Sequence, residues 1–169
     1  MKLALVANPY HPQAAEKLEA LLELVGDAEL EEATAQLLGR EGTPLAELSG
    51  DLLLALGGDG TLLYALSHLD LPVFGINIGQ VGFLTEAEFG DTLEANLARL
   101  EAGDYEVEEL QRIEVRLNGQ MVGRALNEAV IHTARVAKIQ KFRITLDGQV
   151  ADEFRGDGLI IATPTGSTS

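Results

Sequence analysis

The chain has 169 residues, 46% hydrophobic and 23% charged, with 27 acidic against 12 basic residues and a net charge of −15. This is globular composition with enough apolar residues to build a core, and so much acid argues against a generic nucleic-acid binder, because phosphate backbones are held mainly by clustered Lys and Arg. Zero Cys excludes disulfides, thiol nucleophiles and thiolate metal sites; the three scattered histidines, His11, His68 and His132, argue against a His-built site, so any metal should be oxygen-bound.

Residues 3 to 7, Leu-Ala-Leu-Val-Ala, form a short apolar run that fits a buried parallel strand. No apolar run approaches the roughly 20 residues of a membrane helix, and Asn8-Pro9 follows the first run too soon for a signal peptide. A cytoplasmic protein with neither membrane nor nucleic-acid partner is expected. Ala14 to Val25 places Leu18, Leu21, Leu22 and Val25 on one helical face. Residues 28 to 38 are helix-prone by composition, with room for a short strand, and both readings stay open. Asp51 to Leu56 is a second buried strand; it runs directly into Gly57-Gly58-Asp59-Gly60-Thr61 and then an apolar helix through Leu62, Leu63, Ala65 and Leu66. Pro72 to Asn77 repeats the strand-then-glycine pattern, followed by Gly79, Gly82 and a helix from about Asp91 to Ala102. Alternation of this kind predicts a parallel sheet with helices on both faces.

After Gly103 the period changes to two. Ile113, Val115 and Leu117 alternate with charged residues before Asn118-Gly119, and Phe142, Ile144 and Leu146 alternate before Asp147-Gly148; each Gly-containing pair is a hairpin signal. Leu159 to Ala162 reads as a buried strand. Charge shifts too: residues 1 to 99 hold 4 basic and 16 acidic residues, residues 100 to 169 hold 8 and 11. The expected division is an α/β nucleotide-binding region at 1 to 103 and a β-rich region at 104 to 169, joined by a change of architecture rather than a linker.

Gly57-Gly58-Asp59-Gly60-Thr61 falls where a strand's carboxyl end meets a helix N-terminus, the position at which open α/β sheets bind ligands. Glycines let the backbone approach closely, and the free N–H groups favour a phosphate; the alternative is a plain tight turn. Asp59 is out of place beside phosphates unless it meets a metal ion or a hydroxyl, which suits a residue orienting an attacking alcohol in phosphoryl transfer. Asn127-Glu128 interrupts an apolar run. Both side chains can serve one ligand only at a strand end or a kink, where a ribose or adenine edge would partner them; otherwise Glu128 faces solvent and Asn127 caps a turn. The basic run Arg135 to Arg143 offers Arg135 or Lys138 to a phosphate, while Lys141 and Arg143 read as a solvated strand face. Phe154-Arg155-Gly156-Asp157-Gly158 leads through the last strand into Thr163-Pro-Thr-Gly-Ser-Thr-Ser169, a hydroxyl-rich phosphate or ribose cradle or a Ser/Thr turn opening a helix.

Gly57-Gly-Asp-Gly-Thr61, Gly75-Ile-Asn-Ile-Gly79 with Gly82-Phe-Leu-Thr-Glu86, Leu126-Asn-Glu128 and Gly156-Asp-Gly-Leu-Ile-Ile-Ala-Thr-Pro-Thr-Gly-Ser-Thr168 together resemble the NAD kinase family, also called polyphosphate/ATP-NAD kinase. The first motif is shared with diacylglycerol-kinase-like and phosphofructokinase-like enzymes; the others, in this order, are more specific. The resemblance implies a Rossmann-like parallel sheet followed by a β domain that continues, in the longer family members, past this chain. It implies phosphoryl transfer from ATP or polyphosphate to the adenosine-ribose 2′-hydroxyl of NAD, giving NADP, with Mg²⁺ or Mn²⁺. Asp59 would correspond to the catalytic acidic residue and Gly60 would lie against the same ligand. Asn127 and Glu128 would hold the dinucleotide with Lys138 near it, and Arg155, Asp157, Thr165, Thr168 and Ser169 would line the same pocket; no residue is implied as a protein metal ligand. A homodimer or homotetramer is implied as well. Tyr64 departs from the family, standing where many relatives carry a basic residue. The competing readings are another kinase of the same superfamily, acting on a lipid or sugar, and a nucleotide-binding module without catalysis.

Overall fold

The computed structural model describes residues 1–79, 82–135 and 138–168. The chain divides into two units, Met1–Glu109 and Leu110–Ser169. In the first, β1 (Leu3–Ala7), β2 (Glu29–Leu30), β3 (Leu52–Gly57), β4 (Val73–Asn77) and β5 (Ala87–Glu88) make one sheet in the order β2-β1-β3-β4-β5, parallel throughout. β1 lies against β3 from Leu3↔Leu52 to Ala7↔Leu56, and β3 against β4 from Leu53↔Val73 to Gly57↔Asn77. Between the strands run α1 (Ala14–Val25), α2 (Glu32–Gln36) and α3 (Asp59–His68), and α4 (Leu93–Glu101) follows β5.

Side-chain parity along the strands sorts these helices onto the two faces, because successive residues of a strand point to opposite sides. Leu5, Ala7, Leu52, Leu54, Leu56 and Ile76 pack with Leu18 and Leu21 of α1, Ala35 of α2, and Leu93 and Leu100 of α4. Ala4, Val6 and Leu53 pack with Ala65 of α3, Leu69, Leu45 and Leu48. The expected sheet with helices on both faces is therefore present, and it explains why β1 and β3 read as unbroken apolar runs. At about 1.5–3 kcal/mol for each fully buried large aliphatic side chain, these two layers supply most of the first unit's stability. The open stretch at 28 to 38 holds both alternatives: β2 extends the sheet by two residues, and α2 follows at once. Glu31 caps α2 by accepting the Thr34 N–H at 2.9 Å, while the Thr34 hydroxyl takes the Ala7 N–H at 2.8 Å, tying α2 to the end of β1.

Among the described residues the regular elements of the second unit are strands, apart from one 3₁₀ turn at Gly166–Thr168. β6 (Ile113–Leu117) and β7 (Gln120–Ala125) form a hairpin, as do β9 (Gln140–Leu146) and β10 (Gln149–Gly156). Asn118 and Gly119 have φ of 52° and 84°, Asp147 and Gly148 φ of 50° and 81°. Positive φ at both central residues is the two-residue turn that matches strand twist, which is why Asn-Gly and Asp-Gly mark it. β8 (Glu128–His132) pairs antiparallel with β11 (Gly158–Ala162). The strand expected at Leu159 to Ala162 forms, but it is not buried: Ile160 is 66% and Ile161 45% exposed. Its sole strand partner among the described residues is β8, and a two-stranded ribbon leaves both of its faces open.

Leu54→Ala, in the middle of the first sheet and fully buried, is expected to destabilise the chain by about 2–5 kcal/mol. Leu146→Ala, at a position 64% exposed, should change it by less than about 0.5 kcal/mol. Urea unfolding of both variants checks this; equal midpoints would contradict the two-layer packing.

Candidate functional site

Strand order reverses between β1 and β3, since β2 lies outside β1 and the chain then crosses to β3, β4 and β5. In open α/β sheets the crevice at the carboxyl ends of such a strand pair receives ligands. Here the loop after β1 is held to β3 by the Asn8 N–H on Leu56 O at 2.9 Å, and the chain leaving β4 by the Ile78 N–H on Gly57 O at 3.2 Å. β3 passes into α3 without slack: a Cβ on Gly57 would lie 2.1 Å from Thr61 Oγ1. Gly58 is the N-cap, extended at φ −114° and ψ −168°, and Asp59 is the first residue of α3.

The Asp59 carboxylate is held on both oxygens by main chain. The Phe83 N–H donates to Oδ2 at 2.9 Å and the Leu84 N–H donates to Oδ1 at 3.0 Å. A Cβ on Gly82 would fall 2.0 Å from Oδ1, so the loop approaches this closely only because residue 82 is glycine. The loop is fixed in turn to β4. Asn77, buried, accepts the Gly79 N–H at 2.7 Å through Oδ1 and donates through Nδ2 to Thr85 Oγ1 at 3.3 Å. Glu86 donates its N–H to Gly75 O at 3.1 Å, and its Oε2 accepts the Gly75 N–H at 2.6 Å. Part of Glu86 faces solvent, but shielding of the carboxyl against β4 outweighs that hydrogen bond and pushes its pKa above the ordinary glutamate range, with a small contribution from Glu108. The sequence marks the segment 82–86 only through the family resemblance, which assigns it no task.

In the second unit, Asn127 lies in a bend and Glu128 opens β8, the strand-end placement that both side chains needed to serve one ligand. The backbone around them is locked by Thr163, itself buried, whose hydroxyl donates to Leu126 O at 2.5 Å and accepts the Gly166 N–H at 3.0 Å. The Thr163 N–H bonds Asn127 O at 2.8 Å. A Cβ on Gly166 would sit 2.2 Å from Asn127 O, so the Leu126-Asn-Glu128 segment and the Thr163 to Thr168 turn close on each other across a glycine. Glu128 Oε2 is buried and has no hydrogen-bond partner among the described residues. That oxygen does not face solvent, and an unsatisfied buried acceptor costs about 1–3 kcal/mol, more when charged.

The other expected site residues fall into groups. Lys138 lines a cleft of about 320 Å³ with Thr133, Ala134, Arg135 and Gln140. The Thr133 N–H donates to Asp157 O at 2.9 Å, which brings the Arg155-Gly156-Asp157 corner beside that loop. Arg155 is exposed on β10, opposite Lys141. Lys141 and Arg143 both pair with Glu153 across the β9–β10 hairpin, Lys141 at 2.6 Å, as a solvated strand face would. Thr165 O accepts the Thr168 hydroxyl at 3.4 Å; Ser169 lies outside the described residues. Asp59 and Gly60 belong to the first unit and the remaining site residues to the second. Among the described residues no group of three or more His, Asp or Glu side chains is arranged to hold a metal ion.

Residues 16–105 match the family model of the ATP-NAD kinase N-terminal domain, and residues 126–169 that of the ATP-NAD kinase C-terminal domain. The chain is 38% identical to an NAD kinase of Thermoplasma volcanium over its whole length and 63% of that protein. It is 48% identical to an NAD kinase of Methanocorpusculum labreanum over 85% of this chain and 53% of that one. Among solved structures, an NAD kinase from Archaeoglobus fulgidus in complex with ATP superposes with a TM-score of 0.71 at 29% identity, covering all of this chain and 63% of that one. Yeast NADH kinase complexed with NADH shares the fold, with a TM-score of 0.84 at 21% identity over 56% of its chain. This chain thus spans about 63% of the length of the relatives it matches end to end.

The raised Glu86 pKa has a sign that can be measured. The folded state holds this proton more tightly than the unfolded chain, so the carboxyl's contribution to stability is fully present below about pH 4.5 and is lost as pH rises through the folded value. Glu86→Gln, which keeps an acceptor for the Gly75 N–H, should therefore gain stability relative to the parent on going from pH 4 to pH 7 in paired urea titrations. A difference that stays constant across that range, or runs the other way, would contradict the assignment.

Proposed function

The chain belongs to the ATP-NAD kinase family, and from that premise we propose that it transfers the terminal phosphoryl group of ATP or polyphosphate to the 2′-hydroxyl of the adenosine ribose of NAD, forming NADP. The observation that carries the reading is the buried, partnerless Glu128 Oε2 beside Asn127. It is an acceptor waiting for a donor, and a ribose hydroxyl of a bound dinucleotide is a donor of the right kind. Lys138, Arg155, Asp157, Thr165, Thr168 and Ser169 are assigned to the same dinucleotide, Lys138 as a cation for its phosphates. The α/β region is assigned to the phosphoryl-transfer machinery and the β region, changing over near Gly103, to the dinucleotide.

In the transfer, the 2′-oxygen forms the new P–O bond while the bridging P–O bond of the donor breaks and its electron pair leaves with ADP or the shortened polyphosphate. The hydroxyl proton passes to Asp59. Each Asp59 oxygen spends one acceptor position on a backbone N–H and keeps another, so the carboxylate is oriented yet able to take the hydroxyl. Gly60, in the first turn of α3, lets the ligand close on the helix N-terminus. Phosphoryl transfer through a loose transition state asks mainly for such positioning. Mg²⁺ or Mn²⁺ would be carried by the phosphates of the donor, where it would supply charge neutralisation. A cytoplasmic homodimer or homotetramer completes the reading; among the described residues no helix is long and apolar enough to cross a membrane.

NADP formation from NAD with ATP or polyphosphate and Mg²⁺ tests this. Asp59→Asn should lower turnover by about 10²–10⁴-fold, the range for losing a positioned proton acceptor, with thermal unfolding compared to detect a disturbed loop. NAD binding without NADP formation by the parent chain would sink the transfer reading and leave a binding module; transfer to a lipid or sugar in place of NAD would move the protein to another branch of the superfamily. Raising Mg²⁺ should tighten the donor more than NAD, and equal effects on both would contradict a cation carried by the donor.

A further inference from the structure

The segment Gly82-Phe83-Leu84-Thr85-Glu86 carries chemistry that the phosphoryl-transfer reading leaves unused. Asp59 is the first residue of α3, with no helical turn before it to crowd its side chain, and a side chain so placed has several staggered rotamers available. What selects one of them is the pair of N–H groups from Phe83 and Leu84, one on each oxygen. Those donors have no fixed position of their own, because they come from a connection between β4 and β5. Their position is set by two side chains, Glu86 reaching back from the loop to β4 and Asn77 reaching out to the loop from the last residue of β4.

Glu86 is the first of these. β5 pairs with β4 only at Ile76↔Ala87 and Asn77↔Glu88, so the ladder stops one residue short of Gly75. Glu86 continues it by another means: its own N–H goes to Gly75 O, and its Oε2 takes the Gly75 N–H at 2.6 Å. The space is closed, since a Cβ on Gly75 would lie 3.0 Å from both Glu86 Oε2 and Leu62 Cδ1. Asn77 is the second, 4% exposed, with Oδ1 on the Gly79 N–H and Nδ2 on Thr85 Oγ1. Together they pin the loop at residues 85 and 86, directly after the two amides that hold Asp59.

We infer that Glu86 and Asn77 are positioning residues for Asp59, acting through the backbone of Phe83 and Leu84 to fix the direction in which its carboxylate meets the substrate hydroxyl. This rests on the proposed role of Asp59, and displacement of a reacting group by about 1 Å can lower a rate by as much as 10²-fold.

The experiment uses this chain with Glu86→Ala, Glu86→Gln and Asn77→Ala, and reads two quantities. Amide hydrogen exchange at Phe83 and Leu84, followed by NMR, should speed up tenfold or more in Glu86→Ala and Asn77→Ala and stay near the parent rate in Glu86→Gln, while the Leu54 amide stays protected in all. In the NADP assay, Glu86→Ala and Asn77→Ala should lower kcat by tenfold or more with KM for NAD within twofold, and Glu86→Gln should recover most of kcat. Unchanged exchange at Phe83 and Leu84 in Glu86→Ala overturns the inference whatever the assay gives. Faster exchange with unchanged kcat overturns it too, because the loop would then move without consequence. If the parent makes no NADP but exchange responds as stated, the proposed reaction fails for this chain and the fixing of Asp59 by Glu86 and Asn77 stands. Loss of protection at Leu54 in Glu86→Ala would make Glu86 a general stability residue and overturn the positioning role.

Discussion

Burial of β3 on all sides is the constraint from which the rest of the first unit follows. Every residue of Leu52–Gly57 is buried, with β1 on one edge, β4 on the other and an apolar layer on each face. A strand so enclosed reaches solvent only at its ends. At the carboxyl end the chain must turn into α3 between two loops already bonded to β3, those of Asn8 and Ile78. The place of Asp59 is thus settled by leucines five to seven residues earlier, through a core whose stability is a small difference between large terms.

The glycines of the motifs do two separate kinds of work. Gly119 and Gly148 stand at positive φ in hairpin turns, where a side chain would strain the backbone. Gly57 and Gly166 have no such φ, and with Gly82 they are crowded instead. They are bare because Thr61 Oγ1, Asp59 Oδ1 and Asn127 O occupy the space a Cβ would need. The two segments that read in sequence as room for a phosphate, at Gly57 and Gly166, are therefore also room taken by the protein's own groups, and the backbone amides brought close at Gly82 serve the protein's own carboxylate.

Much of this was legible in the sequence. Unbroken apolar runs located β1, β3 and β4 and a 3.6 period located α1, each within a residue or two, and Asn-Gly and Asp-Gly pairs marked both hairpin turns. β2 and β5 were harder: two residues each, they have no period to read and exist only through pairing with a neighbour. The exposure of Ile160 and Ile161 was not legible either, since apolar composition tells how a strand is suited to pack, not what stands beside it. For the site, Asn127 and Glu128 stood out as polar groups interrupting an apolar run, and Asp59 as an acid in a glycine loop suited to phosphate. The grip of Phe83 and Leu84 on Asp59 could not stand out, because it uses backbone N–H groups that every residue carries and a separation of 24 and 25 residues.

The two carboxylates differ in a way that matches different tasks under the proposed reaction. Asp59 has both oxygens engaged, so its direction is fixed before any ligand arrives; Glu128 has a buried oxygen with nothing to accept, so its stabilisation is deferred until a donor comes. Charge follows the same division. The first unit carries 21 acidic and 4 basic residues, a net −17, and the second 6 and 8, a net +2. An anionic dinucleotide is repelled by the first of these and tolerated by the second, where Arg135 and Lys138 line a cleft. A strongly acidic chain is thus compatible with an anionic substrate, because the carboxylate needed for proton transfer and the cations suited to phosphate lie in units of opposite net charge.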